Sequence, residues 1–342
     1  MKPSHPVCLM LAAWLLIVIM VPADAGLLFR HKNDTYANCD GLIPPITSGY
    51  GADGQYQLSS STIPNPSLHR KPVQVFFPQG ATGKLPVIFF SHGFGPGKWE
   101  SYADLIRHMV SRGYIVVFSS YAQAFTSIDG RYSSLWQGFQ AAAEKYADRM
   151  DLSRVGFVGH SFGGGATPAM AYRGIVQHGW GKHGAFLMEL APWYVSQMNN
   201  GQLGRFPAGV LQVTEVYEQD DTNDHRMAID IHAHTHMTDR YYLLVHSASI
   251  KGCAVKADHA TPGRNTSLRQ KQYAVFRPFD ALADAAFNAS TAARTALSDM
   301  AQTATGSAYQ PLSLETQPAP LQPESYYRYP WSGKDNPRRD GF

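Results

Sequence analysis

The chain has 342 residues, enough to bury a large core, and its 44% hydrophobic and 16% charged residues are typical of a globular protein. The formal net charge is only +3, and no concentrated run of Lys or Arg is present. Because nucleic-acid binding normally needs such a basic stripe, no nucleic-acid partner is expected.

The first 25 residues have the pattern of an export signal. Lys2 precedes an apolar stretch from Val7 to Val21, and Ala23-Asp24-Ala25 supplies the small residues that a signal peptidase reads. An apolar stretch of about 15 residues is short of the roughly 20 that span a bilayer as a helix. We therefore predict cleavage before Gly26, a secreted or periplasmic mature protein, and no stable membrane insertion after cleavage.

Cleavage would remove Cys8 and leave two cysteines, Cys39 and Cys253. Two cysteines in an exported chain can pair, which would tie the N-terminal arm to the loop ahead of His259. The alternative is two unpaired thiols, because the sequence does not show whether their Cα atoms come within about 7 Å. We expect the disulfide.

The middle of the chain alternates strand-like and helix-like segments. After an irregular arm at residues 26–70, strands are predicted at Pro72–Phe77, Pro86–Phe90, Tyr114–Ser119, Arg154–Gly159, Ala185–Leu190, Val210–Val216 and Tyr241–Val245. Helices are predicted at Trp99–Arg112, Ser134–Arg149, Ser161–Ile175 and Asp224–His236. This alternation predicts an α/β fold with a mostly parallel, doubly wound sheet that is flanked by helices.

The end of the chain is expected to complete this domain. An Ala-rich segment at Phe279–Ala301 predicts a last helix that packs on the sheet, which gives one catalytic domain at residues 26–305. Fewer than 20 residues separate the strands that end at Leu190 and begin at Val210, so no large lid domain is expected. Prolines rule out regular helix in residues 306–342, for which we predict an extended tail. Its expected anchors are Tyr326, Tyr327, Tyr329 and Trp331.

The stretch from Val155 to Gly164 contains the strongest functional motif. An apolar strand runs into Gly159-His160-Ser161-Phe162-Gly163, and a helical segment follows. This strand–turn–helix context is what a nucleophile elbow needs, with small flanking residues and the serine hydroxyl near a helix N-terminus. A bare Gly-x-Ser-x-Gly also occurs by chance, but its context indicates Ser161 as a nucleophile.

A glycine-rich turn after the strand Pro86–Phe90 predicts an oxyanion hole. When a serine adds to a carbonyl, the oxygen gains charge that two aimed backbone N–H groups can hold. We expect the amides of Phe94, after His92-Gly93, and of Phe162, after the nucleophile, to serve as the two donors. His92 beside this turn fits a structural hydrogen bond better than a base.

A serine nucleophile needs a histidine base and a carboxylate that orients it, in the chain order Ser, acid, His for this architecture. The loop after Val210–Val216 offers four acids, and we choose Asp221, with Asp220 as the closest competitor. Asp224 is more simply a helix N-cap, and Glu218 is the weakest option. His259, in the loop after the last strand, is the predicted base.

Three histidines, His232, His234 and His236, resemble a metal motif. On a helix, His232 and His236 share a face, but no Glu or Cys stands at ligand spacing. We therefore predict a solvated helix end and no metal or other cofactor.

These residues carry a family resemblance over residues 70–300. The chain resembles α/β-hydrolases of the group that includes chlorophyllase-like, platelet-activating-factor acetylhydrolase-like and bacterial cutinase-like enzymes. The likeness lies in Pro86–Gly95, Gly159–Gly164, Asp221 and Asp258-His259. It implies a Ser161–His259–Asp221 triad with Phe94 and Phe162 as oxyanion donors. His92 departs from the proline that many polyester hydrolases have there, which leaves the substrate open.

The sequence thus predicts a secreted, monomeric serine hydrolase that cleaves small-molecule or polymeric carboxylic esters. Thioesterase or amidase activity on the same triad is one alternative. A non-catalytic exported binding protein with a hydrolase fold is the other, since a fold does not by itself specify a function.

Overall fold

The computed structural model describes residues 39–95, 97–122, 126–263, 266–300 and 309–341. The predicted signal peptide and the start of the arm lie outside these residues, and the domain boundaries at 26 and 305 remain predictions. Among the described helices, none combines the length and the apolar character needed to cross a bilayer.

A nine-stranded sheet forms the centre of the described chain. Its strands lie in the order β1-β2-β4-β3-β5-β6-β7-β8-β11. Their bounds are β1 Leu58–Asn65, β2 Leu68–Pro78, β3 Leu85–Ser91, β4 Ile115–Ser119, β5 Met150–His160, β6 Ala185–Leu190, β7 Val210–Tyr217, β8 Arg240–Val245 and β11 Leu312–Leu314. Neighbours from β4 through β8 pair in parallel, whereas β1, β2 and β11 are antiparallel. A hairpin of β9 (Ala248–Ile250) and β10 (Cys253–Val255) follows β8.

Helices cover both faces of this sheet, as continuous apolar strands require. Residues of α1, α7 and α8 join the core on one face, and residues of α2 and α3 join the core on the other. The helices are α1 Ala103–Ser111, α2 Ile128–Lys145, α3 Phe162–Ala171, α4 Asn200–Leu203, α5 His225–His234, α6 Leu268–Lys271, α7 Arg277–Phe287 and α8 Thr291–Ser298. The predicted α/β fold with a mostly parallel sheet is confirmed.

Several elements differ from the expectations. The helix predicted at Ser134–Arg149 is α2, which runs from Ile128 to Lys145, and the hairpin of β9 and β10 was not predicted. The strand β1 lies within the segment predicted to be irregular, because Ser-rich Leu58–Asn65 is an edge strand with little apolar signal. The single helix expected at Phe279–Ala301 is divided into α7 and α8. Between them Ala289 has a φ of 53°, and the Ser290 hydroxyl accepts a hydrogen bond from the amide of Ala293, so Ser290 starts a new helix.

The C-terminal tail is ordered against the domain from residue 309 onward. Its strand β11 pairs with β8 and so covers an edge that would otherwise expose unpaired backbone groups. Of the predicted anchors, Tyr327 and Trp331 are buried, Tyr329 is half-buried and Tyr326 is exposed.

The predicted disulfide between Cys39 and Cys253 is confirmed, with Cα atoms 5.7 Å apart. It joins the N-terminal arm to β10, shortly before the loop of His259. The bond therefore anchors one end of the segment that carries the predicted base.

An ion cluster around the buried side chain of His108 joins residues 51–53 of the arm to the helices α1 and α7. The His108 ring hydrogen-bonds through Nδ1 to Asp53 at 2.8 Å and through Nε2 to Asp280 at 3.0 Å. The amide of Gly51 donates to the other oxygen of Asp280 at 2.8 Å. Burial alone would lower the pKa of His108, but the two carboxylates outweigh burial and raise it, while the bond from His108 lowers the pKa of Asp53.

These shifts predict a pH-dependent stability for the arm. Because the pKa of His108 is raised, its contribution is complete below about pH 6.5 and is lost as the pH rises through the raised value. The contribution of Asp53 is present above about pH 4 and is lost as the pH falls through its lowered pKa. We expect His108→Gln to lower the free energy of unfolding by about 3 kcal/mol near pH 5–6, and by less at pH 9.

Urea unfolding of both proteins at pH 5, 6 and 9 measures this difference. His183→Gln, at an exposed position, is the control and should change little at any pH. A loss in His108→Gln that is equal at pH 5 and pH 9 would show that His108 is not charged in the folded protein.

Candidate active site

Ser161 lies at the turn between β5 and α3 in a strained backbone conformation. Its φ is 56° and its ψ is −123°, which is rare for a residue with a side chain. The turn is held because the amide of Ser161 donates to the carbonyl of Leu190, and its own carbonyl accepts from the amides of Gly165 and Trp193. This geometry is that of a nucleophile elbow.

The glycines beside Ser161 are required by close backbone approach. A Cβ at Gly159 would lie 2.2 Å from the carbonyl oxygen of Gly163, and a Cβ at Gly163 would lie 2.0 Å from that of Ser91. No side chain fits at such distances. The elbow therefore packs directly on the end of β3, where the predicted oxyanion turn begins.

A hydrogen-bonded chain of three side chains starts at Ser161. Its Oγ lies 2.9 Å from Nε2 of His259, and Nδ1 of the same ring lies 2.8 Å from Oδ2 of Asp220. Since a carboxylate only accepts, Nδ1 carries the proton and Nε2 is free to receive the hydroxyl proton. The structure thus brings Ser161 and His259 together as the sequence analysis expected.

Asp220, and not Asp221, contacts the histidine, so the choice of Asp221 as orienting acid is wrong in this geometry. The side chain of Asp220 is buried, whereas Asp221 is exposed and its carboxylate accepts from the hydroxyl of Thr222. Glu218 accepts instead from the amide of Ser247, and Asp224 caps α5, as expected. Consecutive residues in a tight turn point in different directions, and only one of them faces the ring.

The surroundings of Asp220 keep its carboxylate ionised. Burial by itself would favour the neutral acid, but His259 and the amides of Asn223 and Thr222 outweigh it and lower the pKa of Asp220. These amides donate to Oδ1 at 3.1 and 2.8 Å. The acid is therefore a fixed negative charge that would stabilise a protonated imidazole.

The two predicted oxyanion donors belong to segments that meet at Ser161. A Cβ at Gly93 would lie 3.2 Å from that of Ser161, so the turn that carries Phe94 abuts the elbow. Phe162 is the first residue of α3, where backbone amides have no partner within the helix. The roles of both amides as oxyanion donors remain predictions.

His92 takes part in packing. Its ring stacks on that of Tyr121 at 4.3 Å and on that of Phe118 at 5.2 Å, and Nδ1 donates to the carbonyl of Gly93 at 2.7 Å. Burial lowers the pKa of His92 to about 4, so the ring is neutral near neutral pH.

A cavity of about 360 Å³ opens above the Ser161 hydroxyl. Its wall is largely aromatic and apolar, and it includes residues from six separate parts of the chain. The tail supplies Tyr329 and Asp335, a contribution that was not predicted from the sequence. The lining residues are Phe94, Thr126, Ser127, Ile128, Arg131, Ser161, Phe162, Trp193, Asn223, Tyr329 and Asp335.

The tail reaches this cavity by pairing with the loop of the acid. The amide of Tyr329 donates to the carbonyl of Thr222 at 2.8 Å, and the carbonyl of Tyr329 accepts from the amide of Asp224 at 3.1 Å. The Tyr194 hydroxyl donates to the carbonyl of Pro330 at 2.5 Å. No motif in residues 306–342 could have signalled these contacts, since all of them depend on distant backbone groups.

The histidines of α5 do not assemble a metal site. Within the part of the chain that the structure describes, no group of three or more potential ligands is close enough to hold an ion. His234 hydrogen-bonds to Asp230, and burial lowers the pKa of His232 to about 4. The expected solvated helix end is thus only partly correct, because the ring of His232 is largely enclosed.

The triad geometry predicts different effects for the two neighbouring aspartates. Asp220→Asn removes the charge that orients and stabilises the His259 ring, and we expect kcat for ester hydrolysis to fall by about 10³–10⁴-fold. Asp221→Asn is the matched control and should leave kcat within about twofold. Steady-state kinetics with a chromogenic ester measures both, and the reverse ranking would restore Asp221 as the acid.

Comparison with known protein families gives a match over part of the chain. Residues 48–178 match the family model described as Chlorophyllase, a segment that includes the glycine-rich turn and Ser161 but ends before Asp220 and His259. No curated protein matches the chain. The resemblance to the chlorophyllase-like group is thereby confirmed. The chain is an α/β-hydrolase-fold protein with a chlorophyllase-like segment at residues 48–178.

Proposed function

We propose that this protein is a serine esterase that cleaves carboxylic esters through an acyl-enzyme. The observation that carries the proposal is the chain of contacts Ser161–His259–Asp220, with bonds of 2.9 and 2.8 Å and the serine on a strained elbow. The similarity to a family of ester-cleaving hydrolases supports it. The disulfide, a bond typical of oxidising compartments, supports the export expected from residues 1–25.

In the proposed reaction, Nε2 of His259 takes the Ser161 proton as Oγ attacks the ester carbonyl. The amides of Phe94 and Phe162 hold the negative oxygen of the tetrahedral intermediate. The protonated ring then gives its proton to the leaving alkoxide, and the alcohol departs. Water attacks the acyl-enzyme with the same ring as base, which releases the acid and restores Ser161.

The cavity wall indicates which esters fit best. Phe94, Ile128, Phe162, Trp193 and Tyr329 present apolar surface beside the hydroxyl, and pockets of a few hundred Å³ with such walls enclose small organic groups. We propose an uncharged ester whose acyl or alcohol part is apolar or aromatic as the substrate.

Covalent labelling tests the function directly. A fluorophosphonate should label the wild-type protein, and Ser161→Ala should lose both the label and at least about 10³-fold of ester turnover. Ser298→Ala, an exposed serine on α8, should behave as the wild type.

A panel of chromogenic esters, thioesters and anilides then assigns the reaction. We expect esters to be the best substrates. Turnover confined to anilides or to thioesters would replace the esterase by an amidase or a thioesterase. Binding of esters without labelling or turnover would indicate a non-catalytic binding protein.

The tail makes a separate prediction about specificity. Tyr329→Ala removes a ring from the cavity wall and so makes room for a larger acyl group. We expect kcat/KM for esters with a bulky acyl group, divided by kcat/KM for the acetate ester of the same alcohol, to rise by about tenfold. Tyr329→Phe keeps the ring and should preserve the wild-type ratio. Tyr326→Ala, at an exposed tyrosine of the same tail, is a second control. An unchanged ratio in Tyr329→Ala would mean that acyl groups bind elsewhere.

A further inference from the structure

A second hydrogen-bonded chain runs through the site behind the triad. The amide of Gly93 donates to the Tyr102 hydroxyl at 2.9 Å, and that oxygen lies 2.8 Å from Nδ1 of His160. At its other end, Nε2 of His160 lies 2.8 Å from the backbone carbonyl oxygen of His259. Gly93, Tyr102 and His160 are buried, and neither the hydrogen-bonding groups of these residues nor the carbonyl of His259 take part in the acyl transfer described above.

The chemistry of the two ends fixes every proton in this chain. A carbonyl oxygen can only accept, so Nε2 of His160 carries a proton and donates a hydrogen bond to the backbone carbonyl of His259. Burial, with the nearby ring of His259 adding to it, lowers the pKa of His160 to about 3, and the ring is neutral at neutral pH. Nδ1 is therefore bare and accepts from Tyr102, whose hydroxyl burial keeps protonated by raising its pKa to about 12.

This series of hydrogen bonds joins three segments that are far apart in sequence. Gly93 lies in the turn after β3, His160 is the last residue of β5, and His259 lies beyond β10. These are the segments that supply the predicted oxyanion donor Phe94, the nucleophile and the base. The rings of His160 and His259 have centroids only 4.9 Å apart, so a shift of one would displace the other.

We propose that His160 is a positioning residue. Together with Tyr102, it holds the backbone of His259 at a fixed position relative to the turn that carries Gly93 and Phe94. The proposal rests on the proposed esterase function. His160 occupies the variable position of Gly-x-Ser-x-Gly, where it is locked by the strained turn at Ser161. Its hydrogen bonds therefore fix the distance between the Gly93 amide and the carbonyl of His259. Small displacements of reacting groups lower kcat strongly, whereas substrate binding in the cavity depends on other residues.

Tyr102→Phe is the central variant because it removes one oxygen atom and two hydrogen bonds without leaving a ring-sized void. We expect kcat per active site to fall at least tenfold, with KM changed by less than twofold. Active sites are counted by labelling each variant with the fluorophosphonate to completion, and kcat is calculated per labelled site. A loss of folded protein then does not count as a loss of kcat.

Tyr132→Phe is the matched control. Tyr132 is also buried, and its hydroxyl also accepts a hydrogen bond from a backbone amide, that of Ser196 at 3.3 Å. Tyr132 does not belong to the series of hydrogen bonds that runs from Gly93 to His259. We expect Tm to fall by a similar amount in both variants, but kcat to fall only in Tyr102→Phe.

Substitution of His160 supplies the conservative rescue. The side-chain N–H group of His160→Gln can still donate to the carbonyl of His259, whereas His160→Leu cannot. We expect the glutamine variant to retain at least fivefold more kcat than the leucine variant. If the leucine variant does not fold, the comparison of Tyr102→Phe with Tyr132→Phe still decides the matter.

Equal kcat in Tyr102→Phe and Tyr132→Phe would overturn the positioning role, and so would equal kcat in the glutamine and leucine variants. Either result would leave the esterase proposal intact, provided that wild-type protein is labelled and turns over esters. Wild-type protein that is neither labelled nor active would instead overturn the esterase function, and the positioning role with it.

Discussion

The backbone conformation of Ser161 is the constraint on which the rest of the site depends. A residue with a side chain adopts a φ of 56° only at a cost of order 1–3 kcal/mol, so the surroundings must enforce it. Here the enforcement comes from hydrogen bonds to β6 and its following loop, and from glycines that let α3 approach the end of β3. The hydroxyl is thereby raised above the carboxyl edge of the sheet, where loops from several strands can reach it.

Backbone contacts tie those loops to one another around the hydroxyl. The amide of Gln219 donates to the carbonyl of Ala257, which joins the loop of the acid to the loop of the base. The tail adds a third segment by pairing with Thr222 and Asp224. The side chain of Asp220 is 1% exposed and that of His259 is 19% exposed. Water is therefore excluded from the acid but can approach the base, as the proposed deacylation step requires.

Buried carboxyl groups in the sheet and in the loop after β7 have opposite charge states, and the contrast shows what controls them. Burial raises the pKa of Glu189 and of Glu215 to about 8, so both are mostly neutral near pH 7. Asp220 is equally enclosed, but a histidine and two backbone amides keep its pKa low. Glu189 and Glu215 also accept side-chain hydrogen bonds, but burial outweighs them. At Asp220 the adjacent His259 and the two backbone amides together outweigh burial and hold the carboxylate charged. Of these three carboxyl groups, only Asp220 is therefore negatively charged near pH 7.

The sequence by itself determined the features that depend on local pattern. Apolar runs located the parallel strands, Gly159 and Gly163 marked the elbow around Ser161, and position along the chain selected His259 from fourteen histidines. It did not separate Asp220 from Asp221, and it gave no sign that Tyr102 and His160 bond or that Tyr329 lines the cavity. Those contacts join residues dozens to hundreds of positions apart, or depend on which way one turn residue points. Only long-range packing decides them, because local propensity contains no information about distant partners.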